Sequence, residues 1–124
     1  MRRWLFLWGF LLTVGVALGQ TEPYRLRVLS WSCKTFSKGV LVQGVVRNVG
    51  SRPLADLRVN LRVVGPGLRM ATGSAPLADR SLVPGESARF ELRMRTTFEG
   101  PHRCELWFRN PRVARIATLV PNPR

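Results

Sequence analysis

The chain has 124 residues and carries 20 lysines and arginines against 7 aspartates and glutamates, for a net charge of +13. That length supports one small domain with a single core rather than two domains, and it leaves little room for a buried ligand cavity. A positive surplus this large favours encounters with polyanions such as acidic glycans, lipid head groups, nucleic acid or an acidic protein face.

The N-terminal residues read as an export signal. Met1, Arg2 and Arg3 precede an uncharged run from Trp4 to Gly19, and Ala17-Leu18-Gly19 closes it just before Gln20. A positive start, an apolar segment and small residues two apart are what export and its peptidase require, so cleavage is expected after Gly19. The alternative is a retained anchor, because the run is only slightly short of the ~18 to 20 apolar residues of a spanning helix. The polar Gln20-Thr21-Glu22 that follows favours removal, and no cysteine near the junction offers a place for a lipid. Residues 20–124 are then a single exported domain, periplasmic or extracellular, still strongly basic and with Lys34 and Lys38 as its only lysines.

Period-two alternation runs through this domain, as it does where one face of a strand meets a core and the other meets water. The first strand, about residues 24–32, begins with Leu26 and Val28 inward against Arg25 and Arg27 outward. Cys33 can face inward only if a bulge or strand end breaks that alternation near Ser30 to Ser32. A second strand carries Val40, Val42 and Val46, with Gly44 marking a bend or a close backbone approach. In the third, Leu57, Val59, Leu61 and Val63 face inward against Arg58, Asn60 and Arg62.

The pattern weakens between Gly65 and Pro84, where residues 68–70 and 75–78 read as short edge strands. It returns with Ala88, Phe90, Leu92 and Met94 inward against Arg89, Glu91, Arg93 and Arg95. Cys104, Leu106 and Phe108 then face inward, with Arg103, Glu105, Trp107 and Arg109 outward. A last strand at 113–120 does not declare its faces, and residues 121–124 read as a frayed tail. Turn residues separate the runs, among them Asn48, which can turn the chain through local side-chain to backbone hydrogen bonds and tolerates left-handed geometry, Gly50, which does so without a Cβ, and Pro84-Gly85, which pre-sets a tight turn. The expected architecture is all-β: an immunoglobulin-like antiparallel β-sandwich of about seven strands, without a helix.

In an oxidising compartment Cys33 and Cys104 are expected to pair, closing a loop of roughly 70 residues for which chain entropy gives about 4 kcal/mol. The alternative is two buried thiols. No metal site is expected, because no second Cys or His sits at ligand spacing, and no Cys-x-x-Cys redox pair is present. No cofactor is implied. His102, the one histidine, reads as a surface turn residue. The carboxylates Glu22, Asp56, Asp79, Glu86, Glu91, Glu99 and Glu105 are scattered, with Glu91 and Glu105 among arginines they can pair with. Neither a phosphate loop nor a nucleophile elbow occurs, so the chain reads as non-enzymatic.

One surface combines arginine with tryptophan. In an immunoglobulin-like order the third, sixth and seventh strands share a sheet, which gathers Arg58, Asn60, Arg62, Arg103, Trp107 and Arg109 on one outward face. Guanidinium groups there can bind anions, and an exposed indole offers a flat surface. The alternative is a solvated face on which arginine stems cover Trp107. The opposite sheet carries Arg25, Arg27, Arg47, Arg89 and Arg93, so neither face is uniquely basic.

Val42-Gln43-Gly44-Val45-Val46-Arg47-Asn48-Val49-Gly50 resembles the entry of small bacterial FxLYD-type domains. The strand at 57–64 and the Pro84-Gly85-Glu86 turn leading to Phe90 continue the resemblance, which spans Leu26 to Met94. The aromatic-Asp-Gly hairpin of that family is replaced here by Val64-Gly65-Pro66-Gly67. CARDB-like adhesion modules share the Asn-x-Gly and Pro-Gly-Glu elements and suit Gly100-Pro101-His102 as well. Either resemblance implies an immunoglobulin-like sandwich of the bacterial envelope, and neither implies catalytic residues. The expectation is an exported interaction or scaffolding module that binds an envelope protein or an acidic polymer. The alternatives are extracytoplasmic nucleic-acid binding, for example in DNA uptake, and a small secreted enzyme.

Overall fold

The computed structural model describes residues 24–98 and 102–124. The expected export segment and cleavage site lie outside them. The described chain runs β1 (Leu26–Phe36), β2 (Gly39–Asn48), β3 (Leu54–Ala55), β4 (Arg58–Val64), β5 (Met70–Pro76), β6 (Ser81–Leu82), β7 (Ser87–Arg95), β8 (Arg103–Asn110), β9 (Val113–Ile116) and β10 (Thr118–Leu119). A single 3-10 turn at Pro66–Leu68 is the one helical element among the described residues. One sheet has the order β10-β1-β2-β7 and the other β5-β4-β8-β9, with β3-β6 as a small separate pair. Strands β4, β8 and β9 thus share a sheet, as an immunoglobulin-like order requires.

The alternating residues build the core between the sheets. Val59, Leu61, Val63 and Phe108 from one sheet and Leu26, Val42, Val46 and Phe90 from the other are all buried. Phe90 and Phe108 meet edge to face across the middle, with ring centroids 5.3 Å apart, a favoured aromatic geometry. Gly44 makes this packing fit: a Cβ there would lie 2.5 Å from the Phe90 ring, 2.6 Å from the Ser30 carbonyl oxygen and 2.7 Å from Trp31 Cβ. The close approach expected at Gly44 is therefore real.

Register in β1 changes at Leu29, where pairing with β2 passes from Val28–Val46 to Ser30–Val45. The bulge lies one residue before the expected Ser30 to Ser32. It leaves Leu29 outward and shifts the alternation beyond it, which buries Trp31 and lets Cys33 reach the core, so the strand continues to Phe36 rather than ending near Ser32. Cys33 on β1 and Cys104 on β8 form a disulfide that ties the two sheets together.

Four expectations need correction. The weak middle region between Gly65 and Pro84 holds one continuous strand, β5, where edge strands at 68–70 and 75–78 were expected, followed by the two-residue β6. The inward residues of β5 are Ala71, Gly73 and Ala75, too small to give a hydrophobic contrast with Thr72 and Ser74. The last strand splits at Ala117: β9 stays with β8, whereas β10 crosses to the first sheet and pairs with β1 in parallel, so the sandwich is not wholly antiparallel. Residues 121–124 are not frayed, because the Trp31 indole donates to the Pro121 carbonyl at 2.7 Å and the Arg124 amide donates to the Trp31 carbonyl at 2.8 Å.

The fourth correction concerns turn geometry. Positive φ falls on Lys38, Asp56, Leu68, Gly67 and Gly85, not on Asn48 or Gly50. Gly85, at φ 87°, follows Pro84 in a turn closed by the Glu86 amide donating to the Val83 carbonyl at 3.0 Å, as a type II turn requires. Asn48 turns the chain through its side chain, by the local side-chain to backbone bonds expected of it. Fully buried, it donates to the carbonyls of Arg52 and Leu82 and accepts from the Gly50 amide, all within 2.9 Å.

Candidate binding face

Arg58, Asn60 and Arg62 on β4 alternate with the buried Val59, Leu61 and Val63, so all three belong to the outward side of the second sheet. The ladder with β8 sets Arg58 opposite Arg109, Asn60 opposite Trp107 and Arg62 opposite Glu105, with Arg103 one step further along. The six residues expected on one face are therefore on one face.

They are not equivalent. Glu105 occupies the Arg62–Arg103 end: Arg62 Nε donates to Oε1 at 2.7 Å, and Arg103 Nη2 donates to Oε2 at 3.0 Å. The hydrogen bond from Arg62 chiefly, helped by Arg103, holds the Glu105 carboxyl below its ordinary value against a smaller opposing effect of desolvation. Two guanidinium groups thus share one carboxylate, and that end keeps only part of its charge.

The opposite end differs. Arg58 and Arg109 face each other directly, a like-charge cross-strand pair that destabilises a sheet unless an anion lies between the groups. Arg58 Nε donates to Ser74 Oγ at 3.0 Å, which orients the side chain without neutralising it. Asn60 requires a correction: it is only 6% exposed. Its amide nitrogen turns back to the Arg58 carbonyl at 3.3 Å, so it is a structural part of the central strand rather than a contact residue.

Arg115 belongs to this face and was not among the residues expected there. Its guanidinium lies 4.7 Å from the centre of the Trp107 ring, a cation–π distance. The irregular register between β8 and β9, from Asn110–Val113 to Phe108–Ile116, gives β9 an extra residue and breaks its alternation. Period-two reading cannot place Arg115 for that reason. The signal available was the hairpin Asn110-Pro111-Arg112-Val113, where Asn110 Oδ1 accepts from the amides of Arg112 and Val113 and fixes the return strand.

The first sheet also presents basic residues outward. Arg27, Arg47, Arg89 and Arg93 are exposed and Arg25 is half-buried. Glu91 lies among them, accepting from Gln43 at 3.0 Å and standing 3.7 Å from Arg93. Other carboxylates have local duties as well. Glu86 accepts from the Val83 amide at 2.9 Å, and Asp56 stands 3.9 Å from Arg80.

His102 departs from the expected surface turn. It is half-buried, and a ring nitrogen and the sulfurs of Cys33 and Cys104 all lie within 4.8 Å of one another. Sequence spacing shows only His102-x-Cys104; the fold supplies Cys33 from the other sheet. The chain matches no known protein-family profile, and no curated protein matches it.

Proposed function

We propose that this protein is an exported, non-enzymatic β-sandwich that binds an acidic partner in the bacterial envelope, either a protein or an acidic polymer, through the outward face of its second sheet. The observation that carries this reading is the set Arg58, Arg62, Arg103, Arg109 and Arg115 around Trp107, with Glu105 as the one carboxylate on β4, β8 and β9 of that face. Guanidinium pairs at cross-strand spacing suit the oxygen pairs of phosphate, sulfate or carboxylate.

Export is supported by the leader sequence and by the disulfide, which persists in oxidising compartments. The FxLYD-type or CARDB-like resemblance fits the same location. The non-enzymatic reading is supported by the local structural bonds of Glu86, Glu91 and Glu105. Nucleic-acid binding is the less favoured alternative, because Arg115 already lies over the Trp107 ring on which a base would stack.

Heparin and polyphosphate are suitable probes. Replacing Arg58, Arg109 and Arg115 together with glutamine is expected to weaken retention at least tenfold, while the equivalent change at Arg27, Arg47 and Arg89 has a smaller effect. Equal losses from the two triple variants would show binding by overall charge and would retire the proposed face. Binding to either probe should also fall steeply with salt, since each anion contact displaces counterions.

A further inference from the structure

We propose that Cys33, His102 and Cys104 form a metal site that alternates with the disulfide: once the cysteines are reduced, the two thiolates and the imidazole hold one soft, thiolate-seeking ion such as Zn2+ or Cu+. Three observations carry this. The three ligand atoms already lie within 4.8 Å of one another. They come from different parts of the fold, Cys33 from the first sheet, Cys104 from the start of β8 in the second and His102 from the residue just before that strand, so an ion would join the same two sheets as the covalent bond. All three residues are half-buried, and a depression lined by Thr35, Phe36, Thr96, Phe98 and His102 opens to solvent beside the imidazole.

The ligand chemistry is specific. Two thiolates and one imidazole select soft or borderline ions over calcium or magnesium, which take oxygen ligands. Around tetrahedral zinc, bonds of about 2.3 Å to sulfur and 2.0 Å to nitrogen set the ligand atoms about 3.5 to 3.8 Å apart. The sulfurs, bonded to each other in the oxidised form, must move apart to reach that spacing, and the Cys33 and Cys104 Cα atoms, 6.7 Å apart, leave room for it. Zn2+ would complete its coordination with water from the depression, whereas Cu+ is satisfied by three ligands.

Metal and disulfide exclude each other, because only a thiolate is a ligand. A dithiol, either small or carried by a partner protein, cleaves the sulfur–sulfur bond by exchange. The two cysteines gain two electrons and two protons, and the reductant leaves as its own disulfide. Binding of Zn2+ then displaces the two thiol protons. The chain has no other cysteine, so the coupling can be read without competing thiols.

The test titrates full-length protein with Zn2+ alone, once after reduction and removal of the reductant under anaerobic conditions, and once as the disulfide. One Zn2+ per chain is expected in the reduced form, with affinity at least a hundredfold above that of the oxidised form. Co2+ in place of Zn2+ should give thiolate-to-metal charge-transfer absorption. His102→Ala keeps both thiols and the disulfide, and should lower Zn2+ affinity at least tenfold. The near-ultraviolet circular dichroism of this variant in its oxidised form verifies folding. Equal affinity of the reduced and oxidised proteins would overturn the proposal, and so would unchanged affinity of the reduced variant. A reduced wild-type chain that unfolds and is not refolded by Zn2+ would overturn it as well.

Discussion

Asn48 is fully buried and polar, in a strand otherwise lined inward by valines. A buried amide costs stability unless its hydrogen bonds are made. Here its nitrogen serves the carbonyls of Arg52 and Leu82 and its oxygen takes the Gly50 amide. One side chain therefore secures the loop after β2 and anchors β6, some 34 positions further along the chain. Asn48→Ala should remove all three bonds and strand buried backbone groups, a loss of about 2 to 4 kcal/mol. Asn48→Asp should also destabilise, because a carboxylate cannot donate to the two carbonyls. Urea unfolding of both variants checks this. A loss below about 0.5 kcal/mol for alanine would mean that water replaces the side chain at little cost.

At the level of elements, legibility followed the size of the inward residues. Strands β4, β7 and β8 could be read because leucine, valine and phenylalanine alternate with arginine and glutamate, giving a strong period of two. Strand β5 alternates just as regularly, but its inward positions are Ala71, Gly73 and Ala75, so the contrast vanishes. Bulges account for the rest, the one in β1 being legible to within one residue from the need to turn Cys33 inward and the one in β9 not at all. The irregularity at Leu29 moved β1 into a new register, and the extra residue in β9 concealed Arg115 from the candidate face.

The C-terminal segment was illegible for a different reason. Its partner, Trp31, lies 90 positions away, and nothing in the local pattern Pro-Asn-Pro-Arg signals docking. In the structure β10 and the residues after it follow the edge of β1 from Leu26 to Trp31. Prolines along such a border cannot extend the hydrogen-bond ladder to a further strand, a recurrent way of protecting a sheet edge. Deleting residues 121–124 should leave the indole N–H of Trp31 without its partner and open that edge. The expected result is a loss of about 1 to 3 kcal/mol, together with faster amide hydrogen exchange in β1. Unchanged exchange between Leu26 and Trp31 would show that β10 alone protects the strand.

For the whole molecule, the disulfide and the core divide the work of holding two sheets together. The core is broad: Phe90 and Phe108 touch across its centre, and buried aliphatic residues extend to Leu54 and Leu82 at the β3-β6 pair. The cross-link acts chiefly on the unfolded chain, because joining positions 71 apart in sequence removes many open conformations, for about 4 kcal/mol in the entropic account. Small sandwiches retain only about 5 to 15 kcal/mol of net stability, so this one bond is a large fraction of the total. Replacing both Cys33 and Cys104 with alanine should lower the unfolding free energy by about 3 to 4 kcal/mol while preserving the near-ultraviolet circular dichroism of the packed aromatic residues. It should also leave retention on heparin nearly unchanged, because Cys104 faces the core while Arg58, Arg109 and Arg115 occupy the other side of the sheet. A double variant that stays folded but loses heparin binding would show that the face depends on how the two sheets are joined, and not on the β4-β8 ladder alone.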